Sequence, residues 1–302
     1  RQQDGHEGEE ACVTPGELGR RTAAEEVLAT FSTDRPGADR QTWLLAVLFA
    51  ERGAIDEVRA LATRLSAQDL AHLPGLIAWY QLLVGRNEDA LRSIQLAIHA
   101  HPDDVYAASA HAAAMASRSD RETMARGQRV LAAAPESWYA LAAAARCHEI
   151  SGGAEAAEAL YRQAIIASDR RPWPHVLLAR FLESCGRHQE AEAQYQEAIQ
   201  RDQGSIANRL ALAKVAEKLG HNQLAVASLQ GIEPVRRDGE IHDRLGRLHQ
   251  TMGDWAAAER EYRAAIGSGE DGGNIQLRLA DVLEQLGRAD ESQRHRARGL
   301  IL

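Results

Sequence analysis

Small and bulky apolar residues alternate along the chain with the spacing of one helix face. After Gly152, Ala157 follows at five residues, Tyr161 four residues later and Ala164 three residues after that. Offsets of four and three place side chains on the same side of an α-helix. A second stretch with apolar residues on one face, residues 173–185, precedes the next glycine. The pattern therefore predicts two helices joined at a glycine.

This helical hairpin is repeated in tandem. The glycines at 152, 186 and 220 are 34 residues apart, the step to 253 is 33, and the step to 287 is 34 again. Earlier glycines stand at 53 and 85, and the gap from 85 to 152 leaves room for one repeat whose glycine is replaced by Arg118. Repeats starting near 39, 71, 104, 138, 172, 206, 239 and 273 predict about eight hairpins.

The spacing and the residue classes together resemble the tetratricopeptide repeat over residues 39–302. The resemblance implies an all-α fold, a right-handed superhelical solenoid whose first helices line a concave surface. It also implies that ligands contact that surface at the second, fifth, ninth, twelfth and thirteenth places of each repeat. The third repeat departs most, with His111 in the place of the first helix's small residue. In the other repeats that residue is Ala46, Ala78, Ala145, Ala179, Ala213, Gly246 or Ala280.

The two ends of the chain depart from the repeat. Residues 1–15 are polar and contain glycine, which predicts a flexible segment. Residues 16–38 keep only the second half of the pattern, so we expect a lone capping helix of a partial repeat. Residues 39–302 form the predicted tandem solenoid, whose last repeat has Arg296 and Gly299 in place of a large and a small apolar residue. Degenerate terminal repeats are what a solenoid needs as caps.

Composition narrows the class of protein. Hydrophobic residues make up 45% and aromatic residues 5% of the 302 residues, which favours closely packed, alanine-rich helices. A net charge of −8 without a basic patch argues against nucleic-acid binding. No window predicts a membrane-spanning helix or a signal-peptide core. Lysine occurs only at 214 and 218, a bias typical of GC-rich bacterial genomes, so we expect a soluble bacterial protein of either cytoplasm or periplasm.

A cation occupies the ninth place of four successive repeats. These residues are Arg146, Arg180, Lys214 and Arg247, and a glutamate or glutamine stands three residues after each. Three residues are about one helical turn, so one interpretation is a ladder of intrahelical ion pairs. The other interpretation is a charged groove that holds a polar or acidic segment of a partner, because arginine binds carboxylates through two hydrogen bonds.

The same surface is apolar and aromatic in the first half of the chain. Trp43, Trp79, Tyr139 and Trp173 stand there, and exposed aromatic side chains are typical anchors of protein interfaces. These four residues and the four cations form the predicted partner-binding site. The alternative is that individual rings pack between hairpins, as we expect for Trp138.

No pattern in the sequence indicates catalysis, a cofactor or a metal site. The lysine and asparagine clamp with which members of the resembled family bind chaperone tails is missing, since its places hold residues such as Gly75 and Trp79. His99 and His101 lie close together but lack a third metal ligand. The short motifs of serine hydrolases, zinc proteases and nucleotide-binding loops do not occur.

The sequence therefore predicts a non-catalytic protein–protein interaction scaffold that binds a protein or an extended peptide in its concave groove. The alternative is a recruiting or oligomerising arm of a larger bacterial enzyme or polysaccharide-export machine, of the glycosyltransferase or sulfotransferase type. The first residue, which is not methionine, and the apolar stretch at 299–302 favour that alternative. Self-association through the end repeats is a third hypothesis.

Overall fold

The computed structural model describes residues 74, 75, 77–79, 81, 82, 87–100, 104–116, 121–168, 171–269 and 272–301. Within these ranges the chain forms helices and no strand. The predicted segments 1–15 and 16–38 lie outside the described residues. The α-helices that follow residues 74–82 are α1 (Asn87–Ala100), α2 (Val105–Met115), α3 (Arg121–Ala133), α4 (Trp138–Ile150), α5 (Ala154–Ala167), α6 (Trp173–Ser184), α7 (His188–Arg201), α8 (Ile206–Lys218), α9 (Asn222–Gln230), α10 (Gly239–Thr251), α11 (Trp255–Gly267), α12 (Gly273–Gln285) and α13 (Ala289–Gly299), with a 3-10 helix at Pro234–Arg236.

The helices pack as consecutive hairpins, each made of two helices that follow one another in the chain. The pairs are α2 with α3, α4 with α5, α6 with α7, α8 with α9, α10 with α11 and α12 with α13. The first helices α4, α8, α10 and α12 begin at 138, 206, 239 and 273, the starts predicted from the repeat. The prediction of an all-α helical repeat solenoid is confirmed. None of the described helices combines the length and the apolar character needed to span a membrane.

The turn glycines end the first helices through one recurring pair of backbone hydrogen bonds. Gly186 has a φ of +75°, and its N–H donates to the carbonyl of Glu183 at 3.0 Å. The N–H of Arg187 donates to the carbonyl of Leu182 at 2.9 Å. This Schellman arrangement needs a positive φ, which glycine adopts without a steric penalty. The same two bonds occur at the glycines 152, 220, 253 and 287, which explains why glycine marks the period of the sequence.

The stripe of small, large and small residues on each second helix forms the core. Ala191, Tyr195 and Ala198 are at most 1% exposed, and so are the corresponding residues of α11. The small residue at the eighth place of the first helix faces this stripe. At Gly246 a Cβ atom would lie 2.6 Å from Cε1 of Tyr262, so even a methyl group exceeds the space between α10 and α11. Small residues thus set the close approach of the helices.

The third repeat folds as a hairpin although its pattern departs from the others. Gly127 of α3 stands where most repeats have a bulky residue, and a Cβ atom there would lie 3.0 Å from Cβ of Cys147 on α4. Glycine therefore lets α3 approach the next hairpin. His111 is half-buried, and burial, followed by the charge of Arg126, lowers the pKa of its imidazole.

Candidate functional site

The four predicted cations are the exposed residues of otherwise buried helix segments. Arg146, Arg180, Lys214 and Arg247 are all exposed, whereas the residues directly before and after each of them are buried. The side chains of the first, third and fourth are 45%, 62% and 49% exposed. They lie on α4, α6, α8 and α10, the first helices of four successive hairpins. We call these four residues the cation row.

The cation row is paired with acids, but not as one repeated ladder. Arg146 Nη1 lies 2.8 Å from Glu149 Oε1 in the same helix, as the ladder interpretation predicts. Lys214 Nζ lies 3.9 Å from Glu183 Oε2 of the preceding first helix. The ion pairs of the row therefore connect neighbouring hairpins as well as successive turns of one helix.

At the fourth cation the pairing is different again. Arg247 Nε lies 3.2 Å from Asp243 Oδ2, one turn earlier in α10. The same carboxylate accepts a hydrogen bond of 2.6 Å from Arg278 of α12. Asp243 thus joins two neighbouring first helices, while the guanidinium of Arg247 remains half exposed.

The carboxylates and the amide at the twelfth place have a role that sequence reasoning missed. Glu149, Glu183 and Gln250 lie on first helices, and each accepts a hydrogen bond from a buried tyrosine of the second helix, twelve residues later in the chain. Burial, followed by this bond, raises the pKa of the Tyr195 hydroxyl, and burial raises that of Tyr262 to about 12. The sequence pattern that could have predicted these bonds is a tyrosine twelve residues after a glutamate or glutamine. The bonds join Tyr161 Oη to Glu149 Oε2 at 2.9 Å, Tyr195 Oη to Glu183 Oε1 at 2.6 Å, and Tyr262 Oη to Gln250 Oε1 at 2.7 Å.

Where the second helix has no tyrosine, an arginine binds the twelfth-place acid. In the hairpin of Glu217, Leu229 stands at the tyrosine's place. Glu217 instead accepts a hydrogen bond of 2.5 Å from Arg244 of the next first helix. Arg296 stands in the tyrosine's place in the last hairpin and donates to Glu284 at 2.9 Å. All five twelfth-place residues from α4 to α12 therefore have a partner. We call Glu149, Glu183, Glu217, Gln250 and Glu284 the acceptor row.

The predicted aromatic anchors are core residues. Trp79, Tyr139 and Trp173 are only 3%, 5% and 7% exposed, so the expectation of exposed rings is wrong for these three residues. Tyr139 stacks on Trp138 with ring centroids 3.8 Å apart, and its centroid is 5.7 Å from that of Trp79. The rings pack between hairpins, which was the alternative. Trp43 lies outside the described residues.

A cavity with a volume of about 540 Å³ opens beside the first two residues of the cation row. Arg146 and Arg180 form its polar edge together with Glu149 and Asn87. Its walls are mainly apolar, and several are alanines, whose short side chains leave the space open. The apolar lining consists of Trp79, Leu82, Leu91, Ala113, Ala114, Ala116, Ala142, Ile150, Leu177 and Phe181.

The histidines do not gather into a metal site within the described ranges. His249, at the eleventh place, is 9% exposed, and its Nδ1 lies 3.6 Å from Asp254 Oδ2. His175 is 6% exposed and shares a hydrogen bond of 2.9 Å with Gln194. Burial lowers the pKa of the His175 imidazole. His101 lies outside the described residues.

Comparisons with known proteins agree with the fold. Two models of the tetratricopeptide repeat match the chain, one over residues 175–204 and one over residues 244–292. Among curated proteins, none matches the chain in sequence. A chain of the APC/C hetero-tetramer Cut9–Hcn1 is similar in structure, with a TM-score of 0.54 and 16% identity over 93% of this chain and 57% of that chain. Identity at this level reflects a shared fold.

Two further solved structures are similar over part of the chain. YrrB, described as a TPR protein with an unusual peptide-binding site, has a TM-score of 0.49 and 14% identity over 58% of this chain and 90% of that chain. MamA has a TM-score of 0.47 and 16% identity over 55% of this chain and 91% of that chain.

Proposed function

Because this chain belongs to the tetratricopeptide-repeat family, we propose that it is a non-catalytic protein-interaction scaffold that binds a peptide or protein partner along its first helices. The partner contacts the cation row and carries acidic groups. Whether the chain acts alone or as a recruiting arm of a larger bacterial enzyme or export machine depends on its gene context. Reading the gene on both sides of this sequence decides that second point.

The proposal rests on one observation: each of the four hairpins has one exposed cation, and the residues directly before and after it in the chain are buried. A side chain in this position projects from the surface of the first helix, while the rest of that helix segment belongs to the core. Four successive hairpins repeat the arrangement at the same place. A partner that lies across the hairpins therefore meets a positively charged group at each step.

The existing ion pairs leave these cations able to bind a partner. Exposed ion pairs contribute only about 0–1 kcal/mol, because water screens them and the long side chains lose freedom. A partner carboxylate can form two parallel hydrogen bonds with an arginine, which a single contact such as Arg247 Nε to Asp243 does not provide. Binding is therefore expected to rearrange the row at low cost, and to weaken as salt concentration rises.

The test is affinity capture from a lysate of the source organism, read by mass spectrometry. The parent chain is compared with a variant in which the four residues of the cation row are changed to glutamate. A matched control carries the same change of charge at four exposed arginines of the second helices. These control residues are Arg92, Arg129, Arg162 and Arg260.

A partner that the parent and the control capture and the cation-row variant loses supports the proposal. A partner that all three capture equally places binding elsewhere on the chain and refutes it. Far-UV circular dichroism of the purified proteins confirms that the variants remain helical. Light scattering over a concentration series tests the separate hypothesis of self-association through the end repeats.

A further inference from the structure

The cavity and the cation row form one continuous surface. Arg146 and Arg180 line the cavity and are also the first two residues of the row. The row continues through Lys214 and Arg247 on the next two first helices, beyond the residues that line the cavity. A ligand that lies across these hairpins thus meets an apolar recess at one end and a series of cations toward the other.

The recess is large enough for bulky apolar side chains. Its volume of about 540 Å³ falls within the range of roughly 300–1,000 Å³ found for ligand pockets. Ala113 and Ala142 line it without filling it, and Leu91, which is 39% exposed, adds accessible apolar surface at its edge. Burying a leucine or phenylalanine of a partner here removes apolar area from water on both molecules.

The spacing of the cations follows from direct contacts between neighbouring first helices. An ion pair joins side chains of α6 and α8, and hydrogen bonds join side chains of α8 and α10 and of α10 and α12. Helices in contact lie about 8–10 Å apart, and these bridges between long charged side chains place the first helices near the upper end of that range. A peptide in the extended polyproline II conformation advances about 3.1 Å per residue with three residues per turn, so every third side chain lies on one face and roughly three residues span one hairpin. Acidic residues at every third position would each meet one cation.

The acceptor row limits where such acids can lie. Glu149 and Glu183 stand about one helical turn beyond Arg146 and Arg180, and tyrosine hydroxyls hold both carboxylates in place. A ligand acid displaced by one turn would face these carboxylates, and repulsion between like charges would disfavour it. The two rows therefore favour one lateral position of the peptide.

From this geometry we propose that the ligand is an extended peptide with bulky apolar residues followed by acidic residues at every third position. The apolar residues occupy the cavity, and the acids bind the cation row in sequence. The inference rests on the proposed function and adds the chemistry and the spacing of the partner segment. An acidic segment without the apolar residues, or with its acids in an unbroken run, is expected to bind less tightly.

Fluorescence anisotropy with labelled synthetic peptides tests this on the full chain. The first probe has two leucines followed by three glutamates, with two serines between successive acidic residues. A second probe has the same composition with its glutamates in one run, and a third has glutamines in place of the glutamates. The spaced acidic probe should bind at least about tenfold more tightly than either of the others, since the unbroken run loses one or two charge-assisted contacts and the glutamine probe loses all three.

Two variants separate the acidic and apolar contacts. Arg146→Gln combined with Arg180→Gln should weaken the spaced acidic probe about tenfold and leave the glutamine probe unchanged. Ala113→Leu, which fills part of the cavity, should weaken both probes to the same extent. The matched controls Arg162→Gln on α5 and Ala133→Leu on α3 change exposed residues that do not line the cavity, and should leave both affinities at the parent's value.

Equal binding of the spaced and unbroken acidic probes would overturn the inference, as would failure of the spaced acidic probe to bind the parent. Equal loss of the acidic and the glutamine probe in the arginine variant would also overturn it. If the probes fail but the cation-row variant still loses the captured partner, the proposed function stands and the peptide pattern alone is wrong. Melting temperatures equal to the parent's exclude unfolding as the cause of weaker binding.

Discussion

Gly246 offers a test of whether close helix packing or intrinsic helix propensity dominates in this solenoid. The residue lies within α10, where replacing glycine with alanine ordinarily stabilises a helix by about 1 kcal/mol. The added Cβ atom, however, would lie 2.6, 2.7 and 3.0 Å from Cε1, Cδ1 and Cζ of Tyr262. These distances are well below van der Waals contact, so either the ring or the helix must move.

Movement of that ring is costly. Tyr262 is 0% exposed, and its hydroxyl donates a hydrogen bond of 2.7 Å to Gln250 on the same helix as Gly246. Overpacking of a core costs about 1–3 kcal/mol, and loss of the hydrogen bond adds about 0.5–1.5 kcal/mol. Packing therefore outweighs propensity, and we expect Gly246→Ala to lower the free energy of unfolding by about 1–3 kcal/mol.

Gly267 is the matched control. It is the last residue of α11, and a Cβ atom there would meet no other atom within 4 Å. The change Gly267→Ala should therefore be neutral or stabilise the protein by up to about 0.5–1 kcal/mol. The two variants make the same chemical change, and only Gly246→Ala should lower the stability.

Urea unfolding followed by circular dichroism measures both variants. Repeat arrays can unfold in parts, so hydrogen exchange at the amides of α10 and α11 provides a local reading. A loss of about 1–3 kcal/mol corresponds to a roughly five- to 150-fold larger opening constant of these helices. A Gly246→Ala protein as stable as the Gly267→Ala protein, with unchanged exchange in α10 and α11, would refute the reasoning.

Four other outcomes follow from the same contacts. Tyr195→Phe removes a hydrogen bond to a carboxylate and should lower the free energy of unfolding by about 1.5–3 kcal/mol, whereas Tyr262→Phe removes one to a neutral amide and should lower it by about 0.5–1.5 kcal/mol. Equal shifts in the urea midpoint would contradict this difference. Ala191→Trp should lower the melting temperature by several degrees because Ala191 is 0% exposed, and a parental melting temperature would argue against the assigned repeat register. Burial lowers the pKa of His175 below 6.5, so the unfolded chain binds the proton more readily and stability should fall as pH drops below about 6.5. Urea titrations at several pH values should show a smaller dependence of stability on pH for His175→Gln. Burial raises the pKa of Tyr262 from 10.0 to about 12, so the contribution of its neutral hydroxyl to folding stability should be lost as pH rises through that interval. Tyr262→Phe should abolish this part of the dependence of stability on pH.

Part of the candidate site could be predicted from sequence alone. The ninth place of each repeat is defined by its distance from the turn glycine, so the exposed positions of Arg146 and Arg180 follow from the repeat register. The burial of Trp79 and Tyr139 could not be predicted in this way. An aromatic ring on a first helix can point to the solvent or between hairpins, and here the rings of Trp79 and Tyr139 pack against each other and against Trp138.

The sequence by itself determined the order, the length and the register of the described hairpins, because the signals are local. A glycine with positive φ ends a helix through bonds to residues within five positions, and an apolar stripe is set by offsets of three and four. Only the tertiary structure decided which polar groups meet. Glu183 is bonded to Tyr195 of its own hairpin and lies near Lys214 of the next, and the cavity exists because several hairpins together enclose it. Such contacts depend on the distances between packed helices, which a one-dimensional pattern does not contain.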